Sequence, residues 1–504
     1  MNMRFPRENP VTAVTGASGY IGSHLRERLE AAGRPIRCLS RHPEKLTGGP
    51  RTDIVYGDML EPRSLGPALR GVGVAYYLVH SMASSGSFIE QDRLAARNFA
   101  RAARDAGISR IVYLGRLGSD DGLSEHLDSR HEVGRILRES GVPTIEFQAS
   151  IIIGPGSLSF EMIRVLVDKL PVMVTPRWVR QRAQPISIDD VVAYLAAALD
   201  DERTASAVFE IGGATRATCQ EIMSAYARRR GLKRFMIPVP VLTPRLSSLW
   251  LRLVTPAYEA VGRKLIASLQ SDTVVEDAAA LHAFPIRPVD LDTAIDGAIT
   301  AEDAEFRNRH WSGSMDREIL GETYETRQVG RRIVDSRSIE VGVSPREAFA
   351  PIRRIGGATG WYAADWLWRL RGALDTLAGG PGLRRGRKDP EELRAGDALD
   401  FWRIETVDED RRLRLRAEMR IPGRAWLQFE VNPRQHGSRI RQTAEFDPTG
   451  LLGLAYWYAL YPVHRWIFRR MLDRIGELAS RAPDRQAEVD GRGNRRHRPS
   501  PAKP

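Results

Sequence analysis

Val11-Thr12-Ala13-Val14-Thr15-Gly16-Ala17-Ser18-Gly19-Tyr20-Ile21-Gly22 is the stretch whose reading decides the fold of the first half of this chain. An apolar, β-branched run predicts a strand over 12–15, and the amphipathic pattern beyond it predicts a helix over 23–32. Between them stand three glycines, each three residues from the next. Gly16 suits a tight turn, Gly19 lets backbone approach a phosphate, and Gly22 permits close packing of helix on strand. The helix N-terminus near Tyr20 adds N–H donors and a positive dipole. Gly16, Ser18, Gly19, Tyr20, Ile21 and Gly22 are therefore candidate contacts to the pyrophosphate of a dinucleotide.

Working outward, further strands are expected over 36–39, 53–56, 74–79, 110–114 and 144–153. They alternate with helices, among them 90–106, where Leu94, Phe99 and Ala102 would face the sheet. This alternation predicts a parallel α/β sheet of Rossmann type. The second strand ends at Leu39-Ser40-Arg41, nineteen residues after Gly22. An acidic residue there would hold the ribose hydroxyls of NAD; Ser40 and Arg41 suit a 2′-phosphate, so NADP(H) is expected, with NAD(H) the alternative. Asp58 could accept from an adenine amino group and Met59 could pack on its ring, although Asp58 also reads as a helix N-cap. Val79 and His80, at the end of the fourth strand, would line the cofactor.

The chain has 504 residues, too many for one core, so two or three domains are expected. Its net charge is +12. Seven Lys/Arg against three Asp/Glu after residue 480 give the tail +4, and the remaining charge is diffuse. No groove-reading motif accompanies it, so a nucleic-acid partner is not expected. Two distant cysteines, Cys38 and Cys219, exclude a disulfide framework and a zinc site; with no signal peptide read at Met1, a cytoplasmic protein is expected. The apolar stretch 451–463 is too short to span a bilayer and reads as a core helix.

A helical section follows over about 212–305. Thr218-Cys219-Gln220-Glu221 reads as a capping box whose helix stops at Gly231. Pro238, Pro240 and Pro244 break the chain, and 246–269 reads as a helix closing the substrate side, with a peripheral membrane contact as the other reading. Residues 1–10 are an extension, 11–305 the dinucleotide-binding domain with its helical substrate-side region, and 306–327 a linker. A third section, 328–480, opens with a strand over 332–341 and a capping box at Ser344-Pro345-Arg346-Glu347. Strands over 398–407, 412–420, 425–431 and 438–446 follow at hairpin spacing, then a long helix from Asp447-Pro448 to about Leu478. This is an α+β order in which one helix packs into a curved antiparallel sheet. The Arg/Pro/Gly-rich tail, 481–504, is expected to be disordered.

On these residues the segment from 11 to about 300 resembles an atypical short-chain dehydrogenase/reductase of the extended, NmrA-like kind. Thr-Gly-x-x-Gly-x-x-Gly is that group's glycine motif, and Pro185-Ile186-Ser187-Ile188-Asp189-Asp190-Val191 is similar to the stretch by which its extended members fold back under the sheet. The resemblance implies a Tyr-x-x-x-Lys pair. Here His126 falls at the Tyr position and Arg130 at the Lys position, and Gly115-Arg116-Leu117-Gly118-Ser119 replaces the usual serine pair. Arg130 as a fixed cation and His126, His131 or His80 as proton carriers are the candidates; polar residues on a solvated helix face are the plainer reading. Tyr113, inside the fifth strand, reads as core. The stretch 331–478 is similar to a family known only as a domain of unknown function, and its element order looks like the helix-grip fold of START-like proteins. That likeness implies an apolar cavity and a hydrophobic small-molecule ligand. Trp361, Trp366, Trp368, Trp402 and Trp457 are candidates to line it or to fill a bulky core. Asp365, Asp397, Asp400, His436 and His464 are the polar residues near them; the basic loop 382–388 reads as solvated. The sequence thus leads to an NADP(H)-dependent oxidoreductase acting on an apolar small molecule, set against a non-catalytic nucleotide-sensing or assembly protein.

Overall fold

The computed structural model describes residues 11–79, 88–118, 125–239, 272–311, 324–329, 332–377, 379–382, 387, 389 and 392–493, some at their ends by backbone alone. The helix expected over 246–269 lies outside the described residues. The chain forms two compact units that divide at Ser312, within the stretch read as a linker.

In the first unit, β1 (Val11–Thr15), β2 (Ile36–Ser40), β3 (Thr52–Tyr56), β4 (Val72–Tyr77), β5 (Arg110–Arg116), β6 (Thr144–Ala149) and β7 (Ala207–Ile211) make one sheet in the order β7-β6-β5-β4-β1-β2-β3. Every pairing is parallel. Parallel neighbours need crossover helices, and these bury both faces of the sheet. On one face α1 (Tyr20–Ala31) contributes Leu25 and Leu29, and α6 (Ile188–Ala197) contributes Val191 and Leu195. The other face is covered by α2 (Pro62–Leu69), α3 (Phe88–Asp105) and α4 (Glu125–Arg138), through Leu65, Phe99 and Leu137. The helical substrate-side region has its own core, where Phe160 of α5 (Leu158–Lys169), Ile222 and Tyr226 of α7 (Cys219–Arg229) and Ile295 of α8 (Leu291–Trp311) meet.

Three expectations need correction. Leu94 is 50% exposed; the buried face of α3 is Ala96, Phe99, Ala100 and Ala103 instead, one residue round the helix. The strand expected over 144–153 stops at Ala149. Ile152-Ile153 then pairs with Ile186-Ser187, because the chain leaves the large sheet to meet the returning segment. The strand expected over 74–79 ends at Tyr77, freeing Leu78 and Val79 to face the cleft described below. The two capping boxes form as read: Thr218 Oγ1 accepts from Glu221 N–H and Ser344 Oγ from Glu347 N–H, each glutamate reaching back to the cap backbone.

The second unit is an antiparallel sheet of β8 (Tyr324–Val329), β9 (Arg332–Val341), β10 (Ala398–Leu399), β11 (Trp402–Asp408), β12 (Arg412–Ala417), β13 (Gly423–Arg434) and β14 (Gly437–Pro448), in the order β8-β9-β14-β13-β12-β11-β10. Helices α9 (Pro345–Arg353), α10 (Asp365–Leu377) and α11 (Gly450–Gly493) complete it. Phe349, Leu415, Phe429, Met471 and Ile475 form its main core. This is the α+β order expected, with three local differences. Asp447-Pro448 does not start the last helix: β14 runs on to Pro448, the buried Asp447 carboxylate accepts from Arg424 at 2.8 Å, and the helix begins at Gly450. That helix passes Leu478 and continues to Gly493, through the first part of the tail expected to be disordered; residues 494–504 lie outside the described residues. The strand expected over 398–407 is broken at Asp400, whose φ is +54° and whose carboxylate accepts from Gly357 N–H and Trp361 Nε1–H.

Candidate functional site

The glycine turn is built by its backbone constraints. Gly16 has φ +68°, and a Cβ there would lie 2.5 Å from the Leu78 carbonyl oxygen. A Cβ on Gly22 would lie 2.2 Å from the Gly16 carbonyl oxygen, so α1 can close onto the turn only without one. For Gly19 the nearest approach is a milder 3.1 Å, consistent with a position left open toward a ligand. The Thr15 hydroxyl donates to the Tyr76 carbonyl (2.9 Å) and accepts from Leu78 N–H (3.1 Å), which ties the ends of β1 and β4 together. The order of strands reverses at this junction, the place where doubly wound sheets open a crevice.

A cleft of about 330 Å³ lies there. Gly19, Tyr20, Ile21 and Gly22 line one side, presenting the first turn of α1, whose N–H groups have no partner within the helix. Tyr77, Leu78 and Val79 line the floor beside them. The far wall holds Asp92, Tyr113, Arg116, Arg130 and Ser150. The near side suits a pyrophosphate, since the first turn of α1 offers its N–H groups and positive dipole to the cleft. Gly154 keeps the site narrow: a Cβ on it would lie 2.3 Å from Tyr20 Oη.

The far wall is where sequence reasoning was incomplete. Arg130 is brought into the cleft as expected, at the position where the resemblance asked for lysine. Arg116, the last residue of β5, joins it, although no motif singled it out as a site residue. Burial, and secondarily the Arg130 guanidinium, push Arg116 down to about 9, still cationic at neutral pH. Two guanidinium groups in one partly desolvated cleft attract anionic or strongly dipolar groups. Asp92 is buried beside them and accepts from Ser129 Oγ at 3.4 Å. Tyr113 is core, as read: its hydroxyl donates to the Arg130 carbonyl at 3.0 Å, and burial pushes it up to about 12, so it holds α4 and is poorly suited to give up a proton. Gly134 lets α4 settle on β6, since a Cβ would meet Glu146 Oε2 at 2.5 Å, and Glu146 in turn pairs with Arg138. The Ser150 and Thr273 hydroxyls share a 2.7 Å hydrogen bond at the rim.

Other predicted residues fall outside this cleft. Ser40 accepts from His42 N–H at 3.0 Å and Arg41 is exposed at the end of β2. Asp58 is not an N-cap, since α2 starts at Pro62; its carboxylate accepts from Leu60 N–H (2.9 Å) in a local turn. Met59 is buried in the core with Leu65 and Phe99, and its carbonyl accepts from Asn98 Nδ2, so the core holds this side chain. His80 lies outside the described residues. His126 belongs to α4, but its side chain lies outside them too. His131 is on the same helix and does not line the cleft.

With the geometry in place, residues 16–164 match a family model described as NAD(P)H-binding. The first unit carries an NAD(P)H-binding domain. Residues 329–471 match a family described as a protein of unknown function, DUF2867. Among similar proteins, a (4-alkanoyl-5-oxo-2,5-dihydrofuran-3-yl)methyl phosphate reductase of Streptomyces griseus subsp. griseus is 28% identical over 43% of this chain and 73% of its own length. A ceramide reductase of Caulobacter vibrioides is 27% identical over 50% of this chain and 82% of its own. The structure of Citrobacter sp. triphenylmethane reductase complexed with NADP(H) superposes with a TM-score of 0.47 at 18% identity, covering 57% of this chain and 99% of that one. Among the described residues no helix is long and apolar enough to cross a membrane, and no cluster of His, Cys, Asp or Glu could hold a metal.

Proposed function

We propose that this protein is an NADP(H)-preferring reductase acting on a small apolar molecule, with the second unit a START-like module that binds or hands over that molecule. The observation that carries the reading is the placement of Arg116 and Arg130 together across the cleft from the glycine turn. Bound NADPH would supply a hydride to an electrophilic carbon, a carbonyl or the far carbon of an enone. The electron pair displaced onto oxygen needs stabilisation, and two fixed cations in a desolvated wall supply it without a Tyr-x-x-x-Lys pair. His126, one turn before Arg130, or water would deliver the proton. Ser40 and Arg41 would take the 2′-phosphate and Asp58 would accept from the adenine amino group, while Met59 stays in the core. The relatives named as reductases of an alkanoyl dihydrofuranone phosphate and of ceramide support the chemistry, and the second of them an apolar substrate. Cys38 and Cys219 are buried free thiols, in keeping with a reducing cytoplasm.

The exchange of Tyr and Lys for His126 and Arg130 favours a second reading, in which the protein senses NADP(H) without turnover. One experiment separates them. Purified protein is loaded with NADPH, and the absorbance of the reduced cofactor is followed as alkanoyl furanones, enones, quinones and isoprenoid aldehydes are added. The reductase reading expects oxidation with at least one of these classes; tight binding with no oxidation by any would leave the sensor.

A further inference from the structure

The second unit contains a cavity of about 210 Å³, smaller than the usual drug-sized site, between α10, α11 and the sheet. Its walls are mostly apolar: Trp426, Phe446, Phe468 and Ile467 among them. Leu370 and Leu374 of α10 line it while remaining 50% and 51% exposed, so the opening runs along that helix.

Several polar atoms on these walls have no hydrogen-bond partner among the described residues. Trp457 is 4% exposed, and its indole Nε1–H is buried and unpaired. So are His464 Nδ1 and Arg371 Nη2. A buried donor left unpaired is destabilising, and such groups call for a bound partner. The three line the same cavity: the Trp457 and His464 rings are 5.7 Å apart, and the Arg371 guanidinium, 5.7 Å from the centre of the Tyr456 ring, acts on His464 through its charge. Among the described residues the one carboxylate lining the cavity, Glu445, is already held by Arg414 at 2.8 Å and by Arg332 at 3.7 Å. Arg371 has no ion pair among the described residues. Asp375, one turn after Arg371 on α10, is occupied by the Gly382 and Arg420 backbone N–H groups, so the apolar chamber carries a guanidinium without an ion pair and an indole N–H on one wall.

We propose that this cavity binds a short amphipathic acid, its hydrocarbon body against Trp426, Phe446 and Phe468 and its carboxylate against the Arg371 guanidinium and the Trp457 indole N–H. The neutral state of His464 agrees with a cationic surrounding: burial, then the Arg371 and Arg337 guanidinium groups, push it down to about 4. The proposal rests on reading the second unit as a module for an apolar molecule and adds the head group and its partners.

The test is calorimetric titration of the full-length protein with decanoic acid, methyl decanoate and decylamine at pH 7. The acid is expected to bind at least tenfold more tightly than the ester, and the amine not to bind. Arg371→Gln should remove the preference for acid while leaving the ester affinity unchanged. Trp457→Phe, which keeps the ring and deletes the N–H, should weaken the acid several-fold and serves if Arg371→Gln does not fold. Equal binding of acid and ester, or an acid preference that survives both substitutions, would overturn the head-group assignment while leaving an apolar-binding module. Binding of none of the three would overturn the module reading itself.

Discussion

Gly16, Arg41 and the Arg116–Arg130 pair each make a separate demand on the site. At φ +68° with a backbone carbonyl 2.5 Å from the absent Cβ, Gly16 has no room for alanine. Gly16→Ala should destabilise the first unit by about 1–3 kcal/mol and weaken NADPH binding at least tenfold in a fluorescence titration. Arg41 is exposed beside the end of β2, the middle residue of the turn that His42 N–H closes onto Ser40 Oγ. If it holds a 2′-phosphate, Arg41→Ala should weaken NADPH by about 10- to 100-fold, the range of one charge-assisted bond, and NADH much less. Equal losses would remove the assignment. Arg116→Gln and Arg130→Gln should each lower kcat by about 10²-fold, as removal of an oxyanion donor does, while NADPH affinity changes far less. A matching loss in cofactor affinity would make them cofactor ligands instead.

Among the elements, α4 decides whether the far wall exists. It is fastened to α3 by the Arg93–Glu132 pair, two hydrogen bonds of 2.7 Å, to β5 by Tyr113, and to β6 where Gly134 meets Glu146. A helix held at three places presents Arg130 to the cleft in one orientation. Gly134→Ala forces either α4 or the Glu146 carboxylate to move. It should therefore cost turnover while NADPH binding, which depends on β1 and α1, is largely kept. Undiminished turnover would show that the placement of α4 is not needed. The caps act more locally. Ser344→Ala deletes one side of a complete capping box and should lower the stability of the second unit by about 1 kcal/mol, read as a shift in its urea midpoint.

On the scale of the whole molecule the two units carry separate cores, so unfolding need not be a single transition. Seven of the ten tryptophans follow residue 312, which makes indole fluorescence a reporter mainly of the second unit. That unit should be sensitive to acid through His464. Its folded-state value, about 4, lies below its ordinary value of 6.5. As pH falls below 6.5 the unfolded chain takes up a proton that the folded one refuses, so stability present at neutral pH is lost down to about 4. The full loss is roughly 3 kcal/mol. Asp335, pushed upward by burial despite Arg337, works in the opposite direction, so the difference between wild type and His464→Gln isolates the histidine. The urea midpoint should fall between pH 7 and 4.5 in the wild type and fall less in His464→Gln. Identical slopes would refute it.

What the sequence determined by itself was local. The strand, glycine turn and helix at 11–31, the capping boxes at Thr218 and Ser344, and the hairpin strands were legible because backbone sterics and hydrogen bonds act over a few residues. The fold class followed from that order. The glycine turn pointed to where a dinucleotide would be held, and no residue near it told what faces the reacting end. Arg116 was read only as part of the stretch that replaces the usual serine pair; it gains its role when α4 brings Arg130, fourteen residues later, beside it. Leu94 and Asp447 were misread because packing against distant partners overrode periodicity and capping preference. The acid-binding wall joins residues 371, 457 and 464, and only packing of α10 against α11 on the sheet sets them together. Desolvation and charge depend on that convergence, and so the chemistry of both sites was decided by tertiary structure.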